Sequence, residues 1–238
     1  WLPLSLHDAL AHAGRFPLAM VLTTIRQGAK AFDLTAGLGT TVPLGKRKRV
    51  AVLVTPTAYI PALFACPALD TGGQCTIHDD KPSRCKTMPF SPVRDERDQA
   101  ALLVPRDGWE CDTSSAAPVV YRDKTVVDRR DFDHERHQLM DQAATLKSYA
   151  DALIAGAPNV AAGLDSAARK SRGGYVVVNF TTLLPRLSDI DQAGFARQQL
   201  PVLTDFAKRT EGKADLSDYH QFYRENIIGM ERFLARNS

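Results

Sequence analysis

An α+β fold is predicted by where the two kinds of periodicity fall along the chain. Runs rich in Val, Thr, Leu and Gly gather early, in "FDLTAGLGTTVPLGKRKRVAVLVTPTAYI", whereas apolar residues spaced three and four apart dominate from Arg130 onwards. A third observation bounds the answer: 238 residues, 44% of them hydrophobic, can bury a sizeable core without help from metal or disulfides. Neither an internal repeat nor a low-complexity linker divides the sequence, so one domain spanning residues 1–238 is expected, β-rich towards its N-terminus and helical in its C-terminal half.

The N-terminal elements come first. Ser5 followed by Asp8 is the pattern of a helix N-cap, opening a short helix that carries Leu6, Ala9, Leu10 and Ala13 and ends at Gly14. "FPLAMVLTTIRQ" fits either a second helix or a buried strand, and helix is the favoured reading. Ala31 to Tyr59 reads as two or three strands. "GLGTT" within it is a turn, since it lacks the G-x-x-x-x-G-K-[ST] spacing and the lysine of a phosphate loop. "APVVYRDKTVVD" predicts a hairpin around Arg122, Asp123 and Lys124. From Arg130 a long helix places Leu139, Ala143, Leu146, Ala150 and Leu153 on one stripe before Gly156 and Pro158. A shorter helix over Asn159–Lys170, a core strand from Tyr175 to about Thr182, and helices near Asp189–Arg209 and Leu216–Arg236 complete the chain.

Charge excludes some functions. Thirty Lys and Arg against 27 Asp and Glu leave a formal charge of only +3, and the dense basic run Lys46-Arg47-Lys48-Arg49 reads as a solvated entry to the strand "VAVLV" rather than a nucleic-acid footprint. No stretch reaches the ~20 apolar residues that span a bilayer, and none has the order of a signal peptide. A cytoplasmic protein is expected, with no nucleic-acid or membrane partner; a protein partner is left open. Because the sequence opens on Trp1 rather than Met and "WLPLSLHDALAHAG" has the texture of a domain interior, residues upstream are expected.

The chemistry lies in the cysteines. Three of the four fall within "CPALDTGGQCTIHDDKPSRCKTMPF", residues 66–90. In a reducing compartment, thiols gathered on a loop are better explained as soft ligands than as bridges, and four is the number that fills a tetrahedral zinc site or a cubane cluster. Cys66, Cys75, Cys85 and Cys111 are therefore the predicted metal ligands, expected to converge on one centre. Gly72 and Gly73 let backbone N–H groups approach a sulfur, Pro67 and Pro82 stiffen the loop, and Lys81, Arg84 and Lys86 lie where a negative centre would want cations. None of the cysteines forms a close C-x2–4-C pair, so an iron–sulfur cluster, [4Fe–4S], is favoured, with zinc as the alternative.

These residues carry a resemblance. The stretch resembles the second half of the motif of the YkgJ-like cysteine-cluster family, the zinc- or iron-chelating domain also called CxxCxxCC. There a cysteine and a Gly-containing loop lead to Cys-x-Ile-[Tyr/His]-x-x-[Arg/Lys]-Pro-x-x-Cys-[Arg/Lys], then an aromatic or apolar residue and Pro-Phe. Cys66, Cys75, Ile77, His78, Lys81, Pro82, Cys85, Lys86, Pro89 and Phe90 match it. The opening "LPLSLHDAL" more loosely resembles the segment after the family's first cysteine group, C-x-x-C-x-x-C-C, which this sequence lacks; that group is expected either before Trp1 or to have been dispensed with. The resemblance implies a metal-binding protein of redox or structural role. Flagellin lysine N-methylase is similar in its cysteine motif, which implies a protein-modifying enzyme as the alternative, although no glycine-rich methyltransferase signature is present. A zinc-stabilised interaction module is the third reading.

Other groups rank lower. His78 is expected to pack or hydrogen-bond rather than ligate, and His134 and His137, with Asp133, to be solvated on a polar helix turn. Trp109 and Glu110 lie just ahead of Cys111, and the aromatic Trp109 is expected to shield the centre from water.

Overall fold

The computed structural model describes residues 1–44, 47–105, 111–171 and 173–236, and its class is the predicted α+β. Helix α1 (Leu6–Ala11) starts where the sequence says, because the Ser5 hydroxyl accepts the Asp8 N–H at 3.0 Å. The favoured reading then fails: Leu18–Arg26 is strand β2, not a helix. Its residues Leu18 to Leu22 are all buried, since both faces of the strand are covered. A strand covered on both sides needs no polar alternation, and its unbroken apolar run is what made it look like helix.

The Ala31–Tyr59 region holds two strands, β3 (Thr40–Leu44) and β4 (Lys48–Ala58), preceded by an unforeseen helix, α2 (Phe32–Leu38), which has no side-chain cap. Gly39 ends it. A Cβ at Gly39 would lie 2.1 Å from the Val52 carbonyl oxygen, so only glycine lets the chain pass from α2 into β3 this close to β4. Lys46 of the basic run is outside the described residues, and Lys48 and Arg49 are exposed at the start of β4, as expected.

All strands of the main sheet are antiparallel. The order is β1 (Leu2–Pro3), β4, β2, β7 (Tyr175–Asn179), with β3 pairing the same edge of β4 as β1 does further along. β7 is thus an edge strand, with Tyr175 51% exposed, and the expected core strand ends early in a 3-10 turn over Phe180–Thr182. The 121–126 hairpin forms as predicted: β5 (Tyr121–Arg122) and β6 (Thr125–Val126) flank Asp123 and Lys124, both at positive φ.

Helices α4 (Arg130–Gly156), α5 (Pro158–Arg169), α6 (Gln192–Thr210) and α7 (Ser217–Arg236) make up the C-terminal half. Their apolar faces pack against the sheet. Leu18, Met20 and Leu22 of β2 join Leu146, Ala150, Leu164, Phe180, Leu203 and Tyr223 in the main core. α6 is pinned to the start of β2 by one side chain. Gln199, fully buried, donates from Nε2 to the Phe16 carbonyl at 2.8 Å and to the Ala13 carbonyl, and accepts the Leu18 N–H at 3.0 Å. A satellite cluster of Phe90, Val126 and Phe132, with Leu103 and Tyr121 against it, holds the segment between the cysteines and α4. No helix among the described residues is long and apolar enough to cross a membrane.

Candidate metal centre

The loop after β4 is built as a narrow turn. Asp70 Oδ1 accepts N–H bonds from Gly72 at 2.8 Å and Gln74 at 2.9 Å, while Gly73 takes φ +78°, which glycine alone adopts freely. The Thr76 N–H closes the turn on the Ala68 carbonyl at 2.8 Å, and Leu69 bridges Cys75. Cys66 and Cys75 therefore stand on the two arms of one turn, anchored by Ala68, which is buried, and Ile77, which packs on the main core.

The third cysteine arrives on a separate element. Pro82 leads into the short helix α3 (Ser83–Thr87), whose first N–H, from Ser83, goes to Asp8 Oδ2 at 2.9 Å. Thr87 Oγ1 donates to the Ser83 carbonyl at 2.8 Å. α3 is thus held from one end by α1 and on its flank by α4, where Arg84 meets Glu135 at 3.5 Å and also donates to the Phe90 carbonyl. Arg84 is turned to α4, with its guanidinium on Glu135 and the Phe90 carbonyl.

The thiols act on one another electrostatically. Burial, with the charges of Cys66 and Cys75 adding to it and Lys81 and Arg84 working in the opposite sense, pushes the Cys85 thiol from its ordinary 9.0 up to about 11. Cys66, Cys75 and Cys85 are therefore electrostatic neighbours, with Lys81 beside them. Cys66 and Cys111 are exposed, Cys75 and Cys85 half-buried. Among the described residues, no group of three or more His, Cys, Asp or Glu side chains stands ready to hold a metal ion. Trp109 and Glu110 lie outside the described residues. His78, His134 and His137 are exposed, and Asp133 pairs with Arg129 at 2.8 Å, so that helix turn is solvated as expected.

The raised Cys85 value has a direct consequence. In the metal-free protein at pH 8, its thiolate fraction is roughly a hundredfold below that of an ordinary cysteine. In an iodoacetamide time course monitored by peptide mass spectrometry, the exposed Cys66 and Cys111 are expected to alkylate first and Cys85 last, its rate rising about tenfold per pH unit towards pH 11. Equal rates for Cys85 and Cys111 would contradict the burial argument. The same raised value means that this group's share of stability is complete below about pH 9 and is lost as pH climbs to about 11.

Two supports of this region have no signal in the sequence: Asp8 as the acceptor for α3, and Glu135 as the partner of Arg84. Both pairings join residues far apart in the chain. Compared with protein-family models, with curated proteins and with solved structures, the chain matches none.

Proposed function

We propose that the chain holds a thiolate-ligated metal centre, an iron–sulfur cluster or zinc, through Cys66, Cys75 and Cys85, with Cys111 as the fourth ligand, in a redox or structural role. The observation that carries this reading is the electrostatic proximity of three thiols contributed by two separately anchored elements, the Asp70 turn and α3. Its donor set is soft, as such metals require, and Lys81 and Arg84 offset part of the negative charge that thiolates would bring. The resemblance of residues 66–90 to the YkgJ-like motif supports the same three ligands.

The ligands do not stand preformed, so the turn bearing Cys66 and Cys75 must draw in towards α3 on binding. Ordering a few residues costs about 1–2 kcal/mol each. Structural zinc returns about 10 kcal/mol or more at neutral pH, so closing a short Gly-Gly turn is well within reach. A cluster would supply electron transfer or rigidity; zinc would supply rigidity alone. Binding releases protons, most reluctantly from Cys85, so affinity is expected to increase with pH.

Anaerobic purification and then iron, acid-labile sulfide and zinc analysis test the proposal. Iron and sulfide in near-equal amounts with a broad visible absorption band indicate a cluster, and a colourless protein with stoichiometric zinc indicates the alternative. Finding none of the three, even after reconstitution, sinks the reading.

A further inference from the structure

The main sheet has a second face besides the one that enters the main core. Val21 and Thr23 of β2 and Leu53 and Thr55 of β4 alternate with residues buried in that core, so all four point the other way. The register joins them into one tile: Thr23 stands opposite Leu53, and Val21 opposite Thr55. The four line a cavity of about 360 Å³, in the range of small-molecule sites, whose remaining walls come from β1, α2, α4, Arg84 and residues 91–94. Its floor is a regular strand face rather than a packing fault.

Two hydroxyls interrupt the apolar floor. Thr23 and Thr55 are diagonal neighbours across the two strands, and both are half-buried. Neither side chain makes a hydrogen bond among the described residues, and neither oxygen is among the buried unpaired atoms, so both remain within reach of a ligand. A threonine hydroxyl donates and accepts, and a neutral oxygen on the ligand suits it in either sense. Charge points the same way. Arg84 and Glu135 line the cavity but lie 3.5 Å apart as an ion pair, so their charges offset one another. Arg94 also lines it and is exposed, so water already solvates its charge. With every buried charge of the lining already paired, an ionised head would lose its hydration and gain no counter-charge.

We propose that this cavity binds a small, uncharged, largely apolar molecule whose hydroxyl or carbonyl oxygen hydrogen-bonds to the Thr23 and Thr55 hydroxyls. The proposal does not rest on the thiolate reading, and the cysteines take no part in it.

Isothermal titration of the full chain with 2-naphthol, 2-naphthoate and 2-naphthylmethylamine, which share one ring system and differ in head, tests it. Naphthol is expected to bind about tenfold or more tightly than either charged analogue. Thr23→Val combined with Thr55→Val keeps the shape of the floor and its strand preference while removing both hydroxyls. In that variant naphthol is expected to weaken about tenfold, whereas 2-methylnaphthalene, which has no polar head, should bind as it does to the parent. Leu53→Trp fills the cavity from the same floor and should abolish binding of every probe with an unchanged circular dichroism spectrum; the valine pair keeps the test open should this variant fail to fold. Tightest binding by naphthoate, equal affinities for the three heads, no binding by any of them, undiminished naphthol binding in the valine pair, or binding that survives Leu53→Trp each overturn the proposal.

Discussion

Replacing Gln199 by leucine is expected to destabilise the fold by roughly 3–9 kcal/mol, because three buried backbone groups lose their partners and each unsatisfied group costs about 1–3 kcal/mol. The groups are the Leu18 N–H and the Ala13 and Phe16 carbonyls. Leucine nearly matches glutamine in volume, so a cavity does not enter the account. These groups lie where the link from α1 enters β2, with Ala13 and Phe16 on the link and Leu18 the first residue of the strand. For a domain of this size, each kcal/mol shifts Tm by about 2–4 °C, giving a fall of roughly 10 °C or more. Gln198→Leu, at the exposed neighbouring position, is the control and should stay within about 0.5 kcal/mol of the parent. Thermal melts of the two variants decide the matter; equal shifts would mean that Gln199 acts as an ordinary helix residue.

Cys85→Ser is expected to abolish metal retention, lowering affinity by more than the 10–100-fold typical of changes outside the ligand set. Serine keeps the size and loses the soft donor. Metal analysis after purification reads this first effect. The second effect is spatial and stems from how the two ligand-bearing elements are anchored. α3 is fastened by Asp8 at its N-terminus, by the Arg84–Glu135 pair and by Phe90 in the satellite cluster, so it should stay ordered without metal. The turn from Cys66 to Thr76 has its internal bonds, the Ala68 and Ile77 anchors and one exposed bond from Arg15 to Thr76 Oγ1 at 3.2 Å, so loosening should be confined there. Limited proteolysis should cut the variant within that turn, while the helical signal of α4 to α7 persists. Collapse of the whole circular dichroism spectrum would show that the centre nucleates the fold.

What could be read in the sequence was whatever is decided locally. Ser5 caps its own helix, Asp123 and Lys124 turn their own hairpin, and the α4 stripe places Leu146 and Ala150 in the core because a helix carries its periodicity with it. β2 was misread for the opposite reason. Its apolar run has no period because both its neighbours and both its faces are supplied by distant segments. α2 was invisible for want of a cap and of length, and its end is fixed by the approach of Gly39 to Val52, a contact between the helix end and β4. Within the candidate centre, Cys66, Cys75 and Cys85 are near in sequence, and the charges of the first two act on the third. The position of Cys111 relative to them depends on how an intervening loop folds, which no spacing rule encodes. The Arg84–Glu135 pair and Gln199 belong to the same class: a lone arginine, glutamate or glutamine on a helix looks solvated until the partner element is known.

The place of β2 between β4 and β7 also bears on how the chain is made. β4 comes soon after β2, so their hairpin can form as soon as Ala58 has left the ribosome, but β7 is translated well over a hundred residues later. At synthesis rates of about 5–20 residues per second, the β7-facing edge of β2 stays bare for on the order of ten seconds. During that time a nascent hairpin apolar on both faces offers unpaired N–H and C=O groups to any strand that meets it. Release of the completed chain does not remove the delay on refolding, since closing β7 onto β2 must wait for a loop spanning most of the protein to shut. The strand that organises the finished core is thus the one most exposed to aggregation while the core is unfinished, and a nascent-chain chaperone would find its natural hold between Leu18 and Ala58.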